Sequence, residues 1–135
     1  MTSISRALLF GVGVWLVPFV VAVLVFPLRE SSRALFESIM PVAVAGITVA
    51  LGVVYMARVR RGFVREAVLL GCLWLAICVA FDAPLMLFGG PMYMTIGEYL
   101  ADIGVTYVII PVITTGLGFV LERTARRDSA DLDAT

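Results

Sequence analysis

The stretch AVLLGCLWLAICVAFDAPLMLF, residues 67–88, decides the fold of this chain. It is 22 residues long, and Asp82 is its only charged residue. About 20 apolar residues in a helix cross the ~30 Å hydrocarbon core of a bilayer. A charge placed inside such a helix costs from roughly 2.5 kcal/mol to above 10 kcal/mol. The stretch therefore predicts a transmembrane helix, and it marks Asp82 as the first candidate functional residue.

Three more apolar runs of similar length flank this stretch, at residues 7–28, 39–57 and 99–121. The 135-residue chain is 61% hydrophobic and 15% charged, against about 45–50% and about 25% in soluble domains. Backbone groups in lipid must be satisfied within the protein, which favours helices. We therefore predict an all-α, four-transmembrane-helix bundle over residues 1–127, with a flexible acidic polar tail at 128–135.

The arginines predict how the bundle is oriented. Eight of the ten lie before the first run, between the second and third, or after the fourth; the other two, Arg29 and Arg33, follow the first run. Basic residues accumulate on the cytoplasmic side of a membrane. Both termini are therefore expected in the cytoplasm of a multi-pass protein of the cell membrane, with the lipid bilayer as its main partner. The formal net charge of zero argues against nucleic acid as a partner.

The first outer link, residues 28–38, has a helical pattern of its own. Its apolar residues recur at roughly helical spacing, and Arg33 and Glu37 are four residues apart, so they can pair on one helix face. We expect a short helix here that lies on the outer membrane surface.

Catalysis, cofactor binding and metal binding are not predicted. The chain has no histidine, and it lacks the local signatures of nucleophilic hydrolases, zinc proteases and phosphate-binding loops. Cys72 and Cys78 are about 9 Å apart along one helix, too far for a disulfide. We therefore expect a protein that is not an enzyme.

Polar residues gather near the predicted outer surface. Asp82 lies about 22 Å from residue 67 along the third helix, and Asp102 lies at a similar depth on the fourth. Glu98, Asp102 and Thr106 recur every four residues, which places them in one stripe of a helix. The candidate site is therefore Asp82, Glu98, Asp102, Thr106, Arg29 and Arg33.

Three arrangements of these side chains remain open. The carboxylates could share a proton or hold a hard cation through their oxygens. Asp82 could instead pair with Arg29 or Arg33, so that the acid fastens the outer link to the bundle. The acids could also be separately solvated.

Several segments of the chain resemble a group of small prokaryotic four-span membrane proteins whose function is not known. The matching residues are Phe63-Val64-Arg65-Glu66, Gly71, Trp74, Asp82-Ala83-Pro84-Leu85, Gly90-Pro91-Met92, Tyr99, Asp102-Ile103-Gly104, Tyr107, Ile110-Pro111 and, in the first outer link, Leu35-Phe36-Glu37-Ser38-Ile39-Met40-Pro41. The resemblance implies the four-span architecture and carries no assigned activity.

Two functions are compatible with these sequence features. The first is a scaffold or accessory subunit that acts by helix packing, with itself or with a membrane partner. The second is an oligomeric proton- or cation-coupled permeation module that uses Asp82 and Asp102. An oligomer is expected in the second case, because four helices enclose little space.

Overall fold

The computed structural model describes residues 2–88, 93 and 95–133, and within these residues it is helical without strands. The helices are α1 (Ile4–Leu24), α2 (Leu28–Ser31), α3 (Arg33–Met56), α4 (Phe63–Leu87), α5 (Ile96–Tyr99), α6 (Val105–Tyr107) and α7 (Ile109–Asp133), with a π-helical turn at Leu100–Gly104. The sequence Gly89-Gly90-Pro91 is typical of a turn, and it lies outside the described residues.

The predicted helical fold class is confirmed within the described residues, and four helices are long and apolar enough to cross a membrane. The second spans Arg33–Met56 and so begins six residues before the predicted start at 39. It takes in most of the outer link, and only the four residues of α2 form a separate short helix there. That α2 lies on the membrane surface stays a prediction.

The fourth span is the least regular. It runs from Ile96 through the π-helical turn and on into α7. Pro111 has no backbone N–H, so it cannot bond the carbonyl of Tyr107 four residues earlier. Helix α7 continues to Asp133, so the segment predicted as a polar tail is helical over its described part. Its flexibility stays a prediction.

The four long helices form a ring in which α1 and α7 each pack against both α3 and α4. Trp74 on α4 is hydrogen-bonded to Ala7 on α1, and Asp82 on α4 is hydrogen-bonded to Trp15 on α1. Moving along α4 in the chain direction therefore matches moving along α1 in the chain direction. Helices α1 and α4 are therefore parallel neighbours. The consecutive helices α3 and α4 share no extensive contact within the described residues and face each other diagonally.

The two ends of the bundle differ in composition. The terminal end carries Thr2, Tyr55 and Glu66, which are joined by hydrogen bonds. The opposite end, called the pocket end below, carries Arg29 and Asp82. The first described residues, the 57–62 link and the second half of α7, whose Glu122 accepts a hydrogen bond from the N–H of Val64, therefore lie together at the terminal end.

The core is built around Trp74, which is fully buried and donates from Nε1 to the carbonyl oxygen of Ala7 at 2.8 Å. A tryptophan near the end of a membrane helix is typically an interfacial anchor, but the polar atom of Trp74 has its partner inside the bundle. A Cβ on Gly71 would lie 2.7 Å from the Cα of Pro111, so α4 and α7 approach closely there. Cys72 and Cys78 are free thiols, as their spacing predicts.

Candidate functional site at the buried Asp82

Asp82 is the buried acid of the pocket end, with only 4% of its surface exposed. One carboxylate oxygen accepts a hydrogen bond from Nε1 of Trp15 at 2.6 Å, and the other accepts from the hydroxyl of Tyr107. These donors belong to α1 and α6. One carboxylate thus joins three of the four spans.

The indole of Trp15 is held in place by ring stacking on both its own helix and the neighbouring one. Its centroid is 5.0 Å from the ring of Phe19 and 4.9 Å from the ring of Phe81. Stacked aromatic pairs at such distances are stabilising beyond the area they bury. The stacking therefore orients the indole N–H towards Asp82.

Neither arginine of the outer link forms an ion pair with Asp82 among the described residues. Arg33 bonds through Nε to Glu37 Oε1 at 2.7 Å, one helical turn away and at an exposed position. No salt bridge joins Arg29 to a carboxylate among the described residues. Asp82 is thus held by two neutral donors, in place of the arginine that the sequence offered as one alternative.

A partly enclosed pocket of about 90 Å³ opens at this end of the bundle, and it brings together most of the predicted site. Asp82, Asp102, Thr106 and Arg29 all line it. Two predicted residues do not. Arg33 points to Glu37 as described, and Glu98 closes a capping box with Thr95 at the start of α5.

The π-helical turn accounts for the separation of Glu98 from the other members of the predicted stripe. A π-helical turn holds more residues than an α-helical one. A spacing of four therefore no longer returns to the same face between Glu98 and Asp102. After the turn regular spacing resumes, and the Thr106 hydroxyl donates to the backbone carbonyl of Asp102 at 2.8 Å. Tyr107 then faces Asp82.

The remaining walls of the pocket are mostly apolar. Phe19, Phe26 and Phe36 contribute three aromatic rings, and Met40 and Met86 contribute two thioethers. Glu37 adds a third carboxylate beside those of Asp82 and Asp102. The pocket therefore combines a buried acid, an aromatic wall and a partly charged rim.

A second buried acid occupies the terminal end. Glu66 is 8% exposed, and it accepts hydrogen bonds from the Tyr55 hydroxyl at 2.8 Å and from the backbone N–H of Thr2. It thereby joins the N-terminal segment, α3 and α4. The sequence alone does not mark Glu66 as part of a site, because a glutamate before an apolar run resembles an ordinary solvated residue.

One buried hydroxyl near Asp82 has no hydrogen-bond partner among the described residues. Tyr99 is 4% exposed and lies close enough to Asp82 to interact with it electrostatically. Buried polar atoms are usually bonded, so each exception calls for a reason. A tyrosine near the end of a membrane helix is typically an interfacial residue, whereas Tyr99 is buried near the acid.

No family model, curated protein or solved structure matches the chain. The resemblance to small prokaryotic four-span proteins therefore stays a hypothesis.

Proposed function

We propose that this protein is a small integral membrane scaffold or accessory subunit that acts through helix packing. The observation that carries the proposal is the use of Asp82. Both of its oxygens bond neutral donors, Trp15 on α1 and Tyr107 on α6, so a costly buried charge serves to fix how three spans are arranged. Buried polar groups of this kind can select one packing of helices over its alternatives.

Two exposed glycines on the outward-facing sides of α3 and α7 support packing of the bundle against a further helix. A Cβ on Gly46 of α3 or on Gly116 of α7 would meet nothing within 4 Å, so packing inside the bundle does not require either glycine. Small residues on a membrane helix let another helix approach closely. A second copy of the chain or a membrane partner would use these positions.

Chemical cross-linking in native membranes tests the scaffold proposal. The variants Gly46→Leu and Gly116→Leu should lose the cross-linked complex, because leucine holds a second helix at a greater distance. Ala76→Leu, an exposed change on α4, is the matched control and should keep the complex. A wild-type protein that yields no cross-linked complex would overturn the proposal.

Proton- or cation-coupled permeation is the second candidate function. The observation in its favour is that Asp82 and Asp102 line the same pocket. Asp82→Asn separates the two candidates in reconstituted vesicles. The scaffold proposal predicts altered assembly or stability without any flux to lose, and permeation predicts a proton or cation flux in the wild type that falls in the folded variant.

We also infer that the terminal end faces the cytoplasm and that α2 lies at the outer surface of the cell membrane. Eight arginines flank the helix ends at the terminal end and two follow α1 at the pocket end, which agrees with the positive-inside rule. Reporter fusions at either terminus should be active only as cytoplasmic reporters. Periplasmic or external activity at one terminus would contradict this orientation.

A further inference from the structure

We propose that the pocket at Asp82 binds a small organic ammonium ion, with the Asp82 carboxylate as its counter-ion and the phenylalanine rings as its wall. The inference goes beyond the proposed function, because binding requires neither a partner protein nor flux. It rests on the charge, the chemistry and the size of the pocket.

The charges that line the pocket do not balance. Glu37 is neutralised by Arg33 at 2.7 Å. The other charged residues that line the pocket are the acids Asp82 and Asp102 and the base Arg29, so with all of them ionised the lining carries one negative charge in excess. A carboxylate has about four lone-pair sites, and each oxygen of Asp82 accepts one hydrogen bond from the described residues. Asp82 therefore keeps acceptor capacity for a cation.

The pocket chemistry favours an organic cation over a metal ion. Hard cations such as Ca²⁺ take six to eight oxygen ligands. Among the described residues, no group of three or more histidine, cysteine or acidic side chains is placed to hold a metal. Phe19, Phe26 and Phe36 line the same pocket, and aromatic faces attract ammonium groups that carry alkyl substituents.

The size of the pocket is sufficient for a compact ligand. The cavity volume is about 90 Å³, whereas a cavity that holds one water needs about 10–15 Å³. The pocket therefore has room for a small ammonium ion such as tetramethylammonium. Glu37 and Asp102 are exposed at the rim, which gives the ligand a polar entrance.

Isothermal titration of the full chain in lipid nanodiscs tests the proposal, with tetramethylammonium chloride as the probe. We expect saturable binding with one ion per chain, and no binding of tert-butanol, which is similar in shape and uncharged. Sodium chloride at the same ionic strength serves as the blank. An absence of saturable binding by tetramethylammonium, or equal binding of the alcohol, would overturn the proposal.

Two variants locate the bound ion. Asp82→Asn should weaken binding at least tenfold. Ala22→Phe leaves the acid in place and fills the pocket that Ala22 lines, so it should abolish binding. Val20→Phe makes the same kind of change on an exposed position of the same helix, and its affinity should equal that of the wild type. Unchanged binding by a folded Ala22→Phe protein would place the ion elsewhere and refute the assignment.

Discussion

At the scale of single residues, the bundle depends on the hydrogen bonds that stabilise a buried acid. Asp82 is 4% exposed where it lines the pocket, and its described partners are the neutral donors Trp15 and Tyr107. A hydrogen bond to a charged group contributes about 1.5–3 kcal/mol, so two of them offset much of the transfer cost of one carboxylate. Each donor therefore matters more here than the same hydroxyl or indole would at the surface.

Tyr107→Phe should lower the free energy of unfolding by about 1–3 kcal/mol, because Asp82 loses one of its two donors in a buried site. The measurement is unfolding by sodium dodecyl sulfate in mixed micelles. Tyr93→Phe removes a hydroxyl at an exposed position and should change stability by less than about 0.5 kcal/mol.

A double-mutant cycle isolates the bond itself. If Tyr107 acts on stability through Asp82, the effects of Tyr107→Phe and Asp82→Asn should couple by about 0.5–3 kcal/mol. Additive effects would mean that the hydroxyl contributes by packing alone.

At the scale of helices, close approach of α4 and α7 sets the geometry of the site. Gly71 faces the backbone of Pro111, and Gly118 faces the carbonyl oxygen of Phe63 at 2.9 Å from a Cβ position. Both contacts require glycine on sterics alone, at ordinary helical dihedral angles. The π-helical turn above this contact then directs Tyr107 towards Asp82.

Gly71→Ala should destabilise the protein by about 1–3 kcal/mol, because the new methyl group overlaps the Cα of Pro111 and forces α4 and α7 apart. Gly116→Ala on the other face of α7 is the matched control. It meets nothing within 4 Å and should leave stability unchanged or raise it by up to about 1 kcal/mol through helix propensity. The same micellar unfolding assay compares them, and equal stability of the two variants would contradict the contact.

At the scale of the whole molecule, the order of helices around the ring differs from their order in the chain. Helices α3 and α4 follow each other and lie diagonally, while α1 pairs with α4 and α3 pairs with α7. A buried acid ties the bundle at each end, Glu66 at the terminal end and Asp82 at the pocket end. The two acids together hold all four spans.

Disulfide trapping checks this order in a protein whose native cysteines have been replaced. Cysteines introduced at Gly52 of α3 and Leu117 of α7 should cross-link on mild oxidation, since a Cβ at Gly52 lies 3.0 Å from Leu117 Cδ1. A pair at Val49 and Leu73, each well inside α3 and α4, should not. Efficient cross-linking of the second pair alone would show that consecutive helices are neighbours instead.

The sequence by itself determined the four apolar helices, the separation of the two cysteines and the rarity of Asp82, because hydropathy and spacing are local properties of the chain. Only the tertiary structure decided that Asp82 meets Trp15 and Tyr107, and that Glu66 is buried. Those contacts depend on the rotation of each helix about its axis. In lipid, a helix is apolar on its inner and outer faces alike, so the sequence pattern does not mark which face turns inward. That rotation is set by close contacts such as Gly71 against Pro111, which form only when the helices have packed.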